Sequence, residues 1–223
     1  GALPAARAEA DKTVAALAQA GAEDGAAFGI TADVAAIQSG WQTFAGMEPK
    51  NPQELLKAGT SLVSQMTGLL YKVASSSGLS LDPEATTYGL MAAAIFEGSP
   101  LVESIAQLRG LAVADSLRGS VSLQDRTYLA EQQGVNETKL NSTLSNLNDA
   151  FAADPALREA MEQKTKAMHD VVMEFHEHVE ATVTSVPAPT SNPEELRRMG
   201  DLAVAAAADI RHQALSQLNQ RLE

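Results

Sequence analysis

The chain has no cysteine and very few rings: one tryptophan, three tyrosines and five phenylalanines among 223 residues. Without thiols there are no structural disulfides and no thiolate metal centres. Aromatic residues make up 4% of the sequence while hydrophobic residues make up 45%, and alanine dominates the apolar share. That composition favours helices packed closely together over a bulky-cored sheet. Cations are short as well. Sixteen Lys and Arg stand against 28 Asp and Glu, a net charge of −12, which repels phosphate backbones and anionic lipid. Nucleic acid is not an expected partner. No run approaches 18 apolar residues, so no segment reads as a bilayer span. A glycine-rich phosphate loop and a Ser-His-Asp arrangement are also missing, so neither an enzyme nor a cofactor is expected. The sequence opens at Gly1 with neither an initiator methionine nor a signal peptide, and is read as a soluble piece of a longer protein whose membrane segments lie outside it.

What the chain does have is punctuation. Proline fits the first turn of a helix because its missing amide would be unpaired there, and a preceding Ser, Asp or Asn caps the free amides of that turn. The pairing occurs at Asn51-Pro52, Asp82-Pro83, Ser99-Pro100, Asp154-Pro155 and Asn192-Pro193. Glu54 and Glu195 add a variant of the capping box. Between these signals apolar residues recur at helical spacing: Leu55, Leu62, Met66, Leu69 and Val73; Leu101, Ile105, Leu108 and Ala112; and a near-heptad seam of Leu157, Met161, Met168, Val172, Phe175, Val179 and Val186. The pattern predicts helices over 4–20, 31–46, 51–77, 83–97, 100–118, 122–152 (with a break expected near Gly134), 155–185 and 193–222. Gly21–Ile30 and Thr184–Asn192 read as loops. A helix of 30 residues is about 45 Å long, so the expected fold is all-α: an elongated, four-helix-bundle-like arrangement of long antiparallel helices. It is taken as a single domain over 1–223 that allows two stacked modules.

The stretch Leu79–Ala112 carries a further signal. It reads Leu-Ser-Leu-Asp-Pro-Glu-Ala-Thr-Thr-Tyr-Gly-Leu-Met and continues to Gly-Ser-Pro-Leu-Val-Glu-Ser-Ile-Ala-Gln-Leu-Arg-Gly-Leu-Ala. This run resembles the extracytoplasmic sensor region of bacterial methyl-accepting chemotaxis proteins, in which a Leu-x-Leu-Asp-Pro, Ser-Tyr-Tyr-Leu-Met and Leu-Arg-Gly series recurs. Tyr88, Leu90 and Met91 match. Thr86, Thr87, Gly89 and Ala92 stand where the acidic residue, the serine, the second tyrosine and the following acidic residue are usual. The Leu108-Arg109-Gly110-Leu111 element is also similar to the arginine-glycine element of nitrate- and nitrite-sensing helical domains. The resemblance implies a periplasmic sensor domain of an inner-membrane receptor. Such a domain detects a small molecule, works as a homodimer in the full-length protein, and touches the membrane only through segments outside this chain. The same input module serves histidine kinases and cyclic-dinucleotide enzymes. From another class, a helical bundle that binds a protein partner and no small molecule fits the same pattern.

The residues singled out for ligand binding are Arg109, Tyr88 and Thr87. Arg109 lies on the shoulder of the Leu101–Ala112 stripe, where a planar guanidinium suits a carboxylate or another anion. Its alternative is a stem lying over apolar surface and a head paired with an acid such as Glu103 or Asp115. Tyr88 shares a helical face with Met91, Ala92 and Ile95, so core packing competes with ligand contact. His169, Met173, His176 and Glu180 recur along one helix side. His169 and His176 stand about 10 Å apart along the axis, so no metal site is expected, and a solvated flank or subunit interface is the reading for these histidines. The alanine-rich stretch Ala203–Ala208 suits close helix approach in a dimer.

Overall fold

The computed structural model describes residues 2–48 and 52–222. It is all-α: helix accounts for 87% of it and no strand is present among the described residues. Its contacts divide the chain into two compact units, Gly1–Leu81 and Asp82–Glu223; the sequence reading took 1–223 as a single domain that allows two stacked modules.

The first unit contains α1 (Ala2–Asp24), α2 (Thr31–Ala45), α3 (Pro52–Ser76) and a 3-10 turn at Leu79–Leu81. Asn51, the capping residue of the Asn51-Pro52 start signal, lies outside the described residues. Helix α2 is the middle element and packs on both α1 and α3. Its Trp41 indole donates to Asp11 of α1 at 2.7 Å, and its Asp33 pairs with Lys72 of α3 at 2.7 Å. Ile30, Val34, Ile37, Leu62 and Leu69 form the buried core, with Leu17, Phe28, Trp41, Phe44, Met66 and Val73 packed around it. Gly21 permits the α1–α2 approach: a Cβ there would come within 2.8 Å of a Val34 methyl.

The second unit is an up-down-up-down bundle. Helix α4 (Ala85–Met91) passes through a π-helical segment, Ala92–Glu97, into α5 (Gly98–Arg118). Together they make one continuous helix, Ala85–Arg118, of 34 residues. It packs against α6 (Leu123–Ala153) and α8 (Pro193–Leu222); α7 (Pro155–Val179), prolonged by a second π-helical segment at Glu180–Thr184, packs against α6 and α8. Helices of this length make a bundle about 45–50 Å long. The expected seam of α7 is buried from Leu157 to Val179 and continues at Val183. Val186 falls in the loop beyond the π segment and is half-buried.

Both ends of the bundle are tied by polar contacts. At one end the Asp154 carboxylate accepts from the amides of Ala156 and Leu157, as the Asp-Pro signal requires, and also pairs with Arg221 of α8 at 2.6 Å. At the other, Ser116 donates to the carbonyl of Ser191 at 2.7 Å, and Arg126 donates to the carbonyls of Thr184 and Pro187. Asn192 accepts from the Glu194 amide at 2.9 Å, again as its Asn-Pro signal requires.

Two expected boundaries are corrected. Gly134 does not break α6, which runs through it without interruption. Ser99-Pro100 does not start a new helix; it lies inside Ala85–Arg118. The π segment explains this. The Gly98 amide bonds to the carbonyl of Ala93, five residues back, and the Ser99 hydroxyl donates to the carbonyl of Ala94 at 3.2 Å. The local ladder is already displaced where proline, with no amide to give, enters it. The fused helix also revises the membrane reading. By length and composition it can cross a membrane, with a mean hydropathy of 1.2 over its most apolar window, yet 61% of that window is buried inside the protein. A helix at the centre of a bundle has the same composition.

Gly89 marks the closest approach of α4 to α6. A Cβ there would lie 2.7 Å from the Asn146 carbonyl oxygen and 3.0 Å from the Ala150 methyl. In an open helical position Gly→Ala stabilises by about 1 kcal/mol. Here the obstacle is backbone, and overpacking costs about 1–3 kcal/mol. Gly89→Ala should therefore lower the thermal midpoint, whereas Gly134→Ala, with nothing within 4 Å, should raise it. Thermal unfolding followed by circular dichroism checks both signs.

Candidate functional site

Arg109 is on α5 and reaches across to α8. Its guanidinium pairs with Asp201, a partner that the sequence reading did not name. Of the two acids it did name, Glu103 accepts from Gln107 at 2.8 Å and Asp115 pairs with Arg118. The Arg109 stem crosses Gly200: a Cβ on that glycine would lie 2.8 Å from both Cβ and Cδ of Arg109. The side chain is 31% exposed and that of Asp201 55%, so the ion pair contributes at most about 1 kcal/mol. The buried stem supplies the rest of the contact. Beside Asp201 is an open depression of about 520 Å³ lined by Glu194, Arg197, Arg198, Asp201 and Leu202, all on α8. Arg109 is not among its lining residues.

Thr87 and Tyr88 are on α4. Thr87 is buried, and its hydroxyl donates to Asp82 at 2.5 Å. The other Asp82 oxygen accepts from the Glu84 amide at 2.9 Å. These bonds hold the Asp82 carboxyl below the ordinary carboxylate range, the Thr87 hydroxyl contributing most. Thr87 is thus committed to closing the start of its own helix. Tyr88 departs from the core reading. It is 42% exposed, while the seven residues Gly89–Ile95 that follow it are all buried. In a run that is buried all round, apolar spacing no longer identifies the outward residue.

The structure does not bring these three residues together. Tyr88 and Arg109 are on one continuous helix, 109 − 88 = 21 positions apart, or about 30 Å at 1.5 Å per residue. Thr87 and Tyr88 share one level of the bundle and Arg109 another.

A polar group that sequence reading missed lies inside the bundle. His176 of α7 is 2% exposed and Asn136 of α6 fully buried. The His176 Nε2 and the Asn136 amide nitrogen are 3.2 Å apart, and Gln133 donates to the His176 carbonyl at 3.0 Å. In this arrangement Nε2 accepts, which places the ring proton on Nδ1. Nδ1 and the Asn136 carbonyl oxygen are buried with no partner. The solvated-flank reading therefore fails for His176, whereas His169 is at the surface beside Asp170 at 3.1 Å. The available signal was the turn at Asp154: Asn136 precedes it by 18 residues and His176 follows it by 22, so two antiparallel helices put the pair at nearly one level. Among the described residues no three potential metal ligands gather.

Burial pushes the His176 pKa down from 6.5 to about 4. Between those values the unfolded chain is protonated and the folded chain is not, so stability rises with pH through that window. The contribution of the neutral ring is complete above pH 6.5 and is lost as pH falls toward 4, an effect of about 3 kcal/mol. Denaturant unfolding between pH 7 and pH 4 should show this slope, and His176→Leu should flatten it.

The chain matches no family model, no curated protein and no solved structure.

Proposed function

We propose that the chain is the periplasmic input module of a transmembrane chemotaxis transducer, acting by binding and not by catalysis. The observation that carries this reading is the Leu79–Ala112 run. Its Asp-Pro, Tyr-Gly-Leu-Met and Leu-Arg-Gly elements occur in the order of such sensor regions. From Ala85 onward they form one helix that contacts both α6 and α8. A ligand preferring one packing of that helix would shift a pre-existing equilibrium, and α8, packed along both α5 and α7, would carry the displacement to its C-terminal end. The membrane is reached through segments beyond this chain.

In this reading the ligand is a small molecule, with an anion favoured at Arg109. Because Asp201 already occupies that guanidinium, an anion competes with it. Thr87 and Tyr88 would belong to a separate contact at the other level. The receptor is a homodimer, but the alanine stripe of α8 is not its free interface: Ala203 and Ala207 are buried within the bundle. Exposed positions such as Leu202 and Ala205 are left for a partner copy. The engagement of Arg109 by Asp201 also favours, as a second reading, a helical module that binds a protein and no small molecule.

A hybrid receptor decides between them. Residues 1–223 are fused to the transmembrane and signalling parts of a chemoreceptor, and kinase output is followed across a panel of organic acids, amino acids and neutral metabolites. At least one compound should change output and raise the thermal midpoint of the isolated chain. For an anionic compound, Asp201→Asn should tighten binding, and Arg109→Ala should weaken it about ten- to hundredfold, the loss of a charge-assisted hydrogen bond of about 1.5–3 kcal/mol. No response in either assay overturns sensing; binding without a change in output overturns the transducer.

A further inference from the structure

The π segment Ala92–Glu97 stands between two cations. On one side its last residue, Glu97, pairs with Lys139 of α6 at 3.1 Å. On the other, the next residue, Gly98, faces Arg211 of α8, whose Cβ would be 3.6 Å from a Cβ built at position 98. Arg211 differs from the other arginines. Arg7, Arg158 and Arg198 are exposed, and Arg126 is engaged by backbone carbonyls. The Nε of Arg211 is buried with no hydrogen-bond partner, and among the described residues no carboxylate pairs with its guanidinium. Burial draws its pKa downward. The side chain as a whole is half-buried, but an Nε–H buried without an acceptor is costly, in a chain that holds 28 acids.

The geometry supplies a partner one residue away. A π segment holds one residue more than an α-helix of the same rise, so every position it passes is turned by about 100°. If the extra residue moves from Ala92–Glu97 toward Pro100, Glu97 advances to the place that Gly98 now holds. In a four-helix bundle the two neighbours of a helix lie about 90° apart around it, so this turn carries the Glu97 carboxylate from α6 toward α8. The local sequence suits the movement. Proline has no amide, so the ladder has no bond to break at position 100. Ala92, Ala93 and Ala94 are small enough to turn within a packed interior. Gly98 fits the present register because a Cβ there would collide with the Ala93 carbonyl oxygen that the π hydrogen bond engages.

We infer that Ala92–Glu97 is a register switch in which Glu97 exchanges Lys139 of α6 for Arg211 of α8. The two states differ in which neighbouring helix is bound by charge. The inference stands whether or not the chain is a receptor module.

The absence of cysteine lets paired thiols report the register. Disulfides need Cβ atoms about 3.5–4.5 Å apart; the place of Gly98, which residue 97 takes after the shift, meets that condition with residue 211, whereas residue 97 now pairs with α6. In the intact chain, Glu97→Cys with Arg211→Cys should form an intramolecular disulfide under mild oxidation. Adding Gly98→Ala, which crowds the present register, should raise the rate severalfold. An independent readout uses no thiol. In a Lys139→Met chain, Arg211→Met should lower the thermal midpoint, and this loss should vanish when Glu97→Gln is also present. A disulfide accelerated by Gly98→Ala, or a Glu97-dependent effect of Arg211, supports the switch. Absence of both overturns it and leaves Arg211 as a stem packed over Gly98.

Discussion

The second unit depends on one helix remaining continuous through a proline. Ala85–Arg118 contacts both α6 and α8, and a break at Ser99-Pro100 would have left two short helices with no common axis for those neighbours. Continuity is achieved by a misfit. The ladder slips to a five-residue spacing over Ala92–Glu97, Gly98 tolerates the crowded carbonyl of Ala93, and the Ser99 hydroxyl reaches the carbonyl of Ala94. An interior proline costs an α-helix about 3 kcal/mol or more. Here the unpaired carbonyls that make up much of that cost are partly re-satisfied before the proline is reached. The requirement for small side chains then follows, because a helix turned by an extra residue presents its full circumference to its neighbours. The run of seven buried residues, Gly89–Ile95, spans the end of α4 and the start of this segment.

The same device separates what sequence reading captured from what it did not. Asp154-Pro155 and Asn192-Pro193 behave as start signals because each carboxylate or amide oxygen accepts amides of the first turn. Their chemistry is local and therefore legible. Ser99-Pro100 is the same kind of pair, a capping residue before proline, but its outcome was set by tertiary packing on α6 and α8, which no local rule contains. Tyr88 was misplaced for a related reason: when every neighbour is apolar, spacing cannot tell the outward residue from the inward ones. Gly134 was given a breaking role that its position on an exposed, unobstructed face of α6 does not require. For the candidate site, the sequence identified Arg109 as a residue at a helix interface but could not identify its partner, because Asp201 is 92 positions away. His176 was legible as a residue type and as a spacing. Its burial depended on the antiparallel register of α6 and α7.

At each end of the bundle a carboxylate ties two helices together. Asp154 caps α7 with one carboxylate oxygen and holds Arg221 of α8 with the other, so one side chain fixes a helix start and a helix end together. Those bonds keep its carboxyl below the ordinary range, the Arg221 hydrogen bond contributing most. At the opposite end Arg118 spans Asp115 and Asp125, joining α5 to α6. Asp115 is almost fully buried, and burial raises its pKa despite the neighbouring Arg118 cation. The two effects oppose each other, so this contact fixes geometry more than it adds stability.

Between those ends lie groups whose hydrogen-bonding capacity is unspent, among them His176 Nδ1 and the Asn136 carbonyl oxygen, the hydroxyls of Thr165 and Thr184, and the Nε of Arg211. Each orphaned buried polar atom costs about 1–3 kcal/mol, in a fold whose net stability is only about 5–15 kcal/mol. A packing selected for stability alone would replace them with aliphatic side chains, as it has done at Leu140, Leu147 and Ile210. Three of these residues lie near irregular backbone, Thr184 being the last residue of a π segment. Arg211 faces the π segment Ala92–Glu97, and His176 lies one turn before the π segment Glu180–Thr184. Irregular backbone next to unsatisfied side chains lowers the energy gap between neighbouring helix registers, because a shift that strains one hydrogen bond can complete another. A bundle made only of regular helices and aliphatic contacts would have a single deep minimum. This one has its ends clamped by ion pairs and its two displaced turns set against polar groups, which confines any rearrangement to rotation of the segments between the clamps.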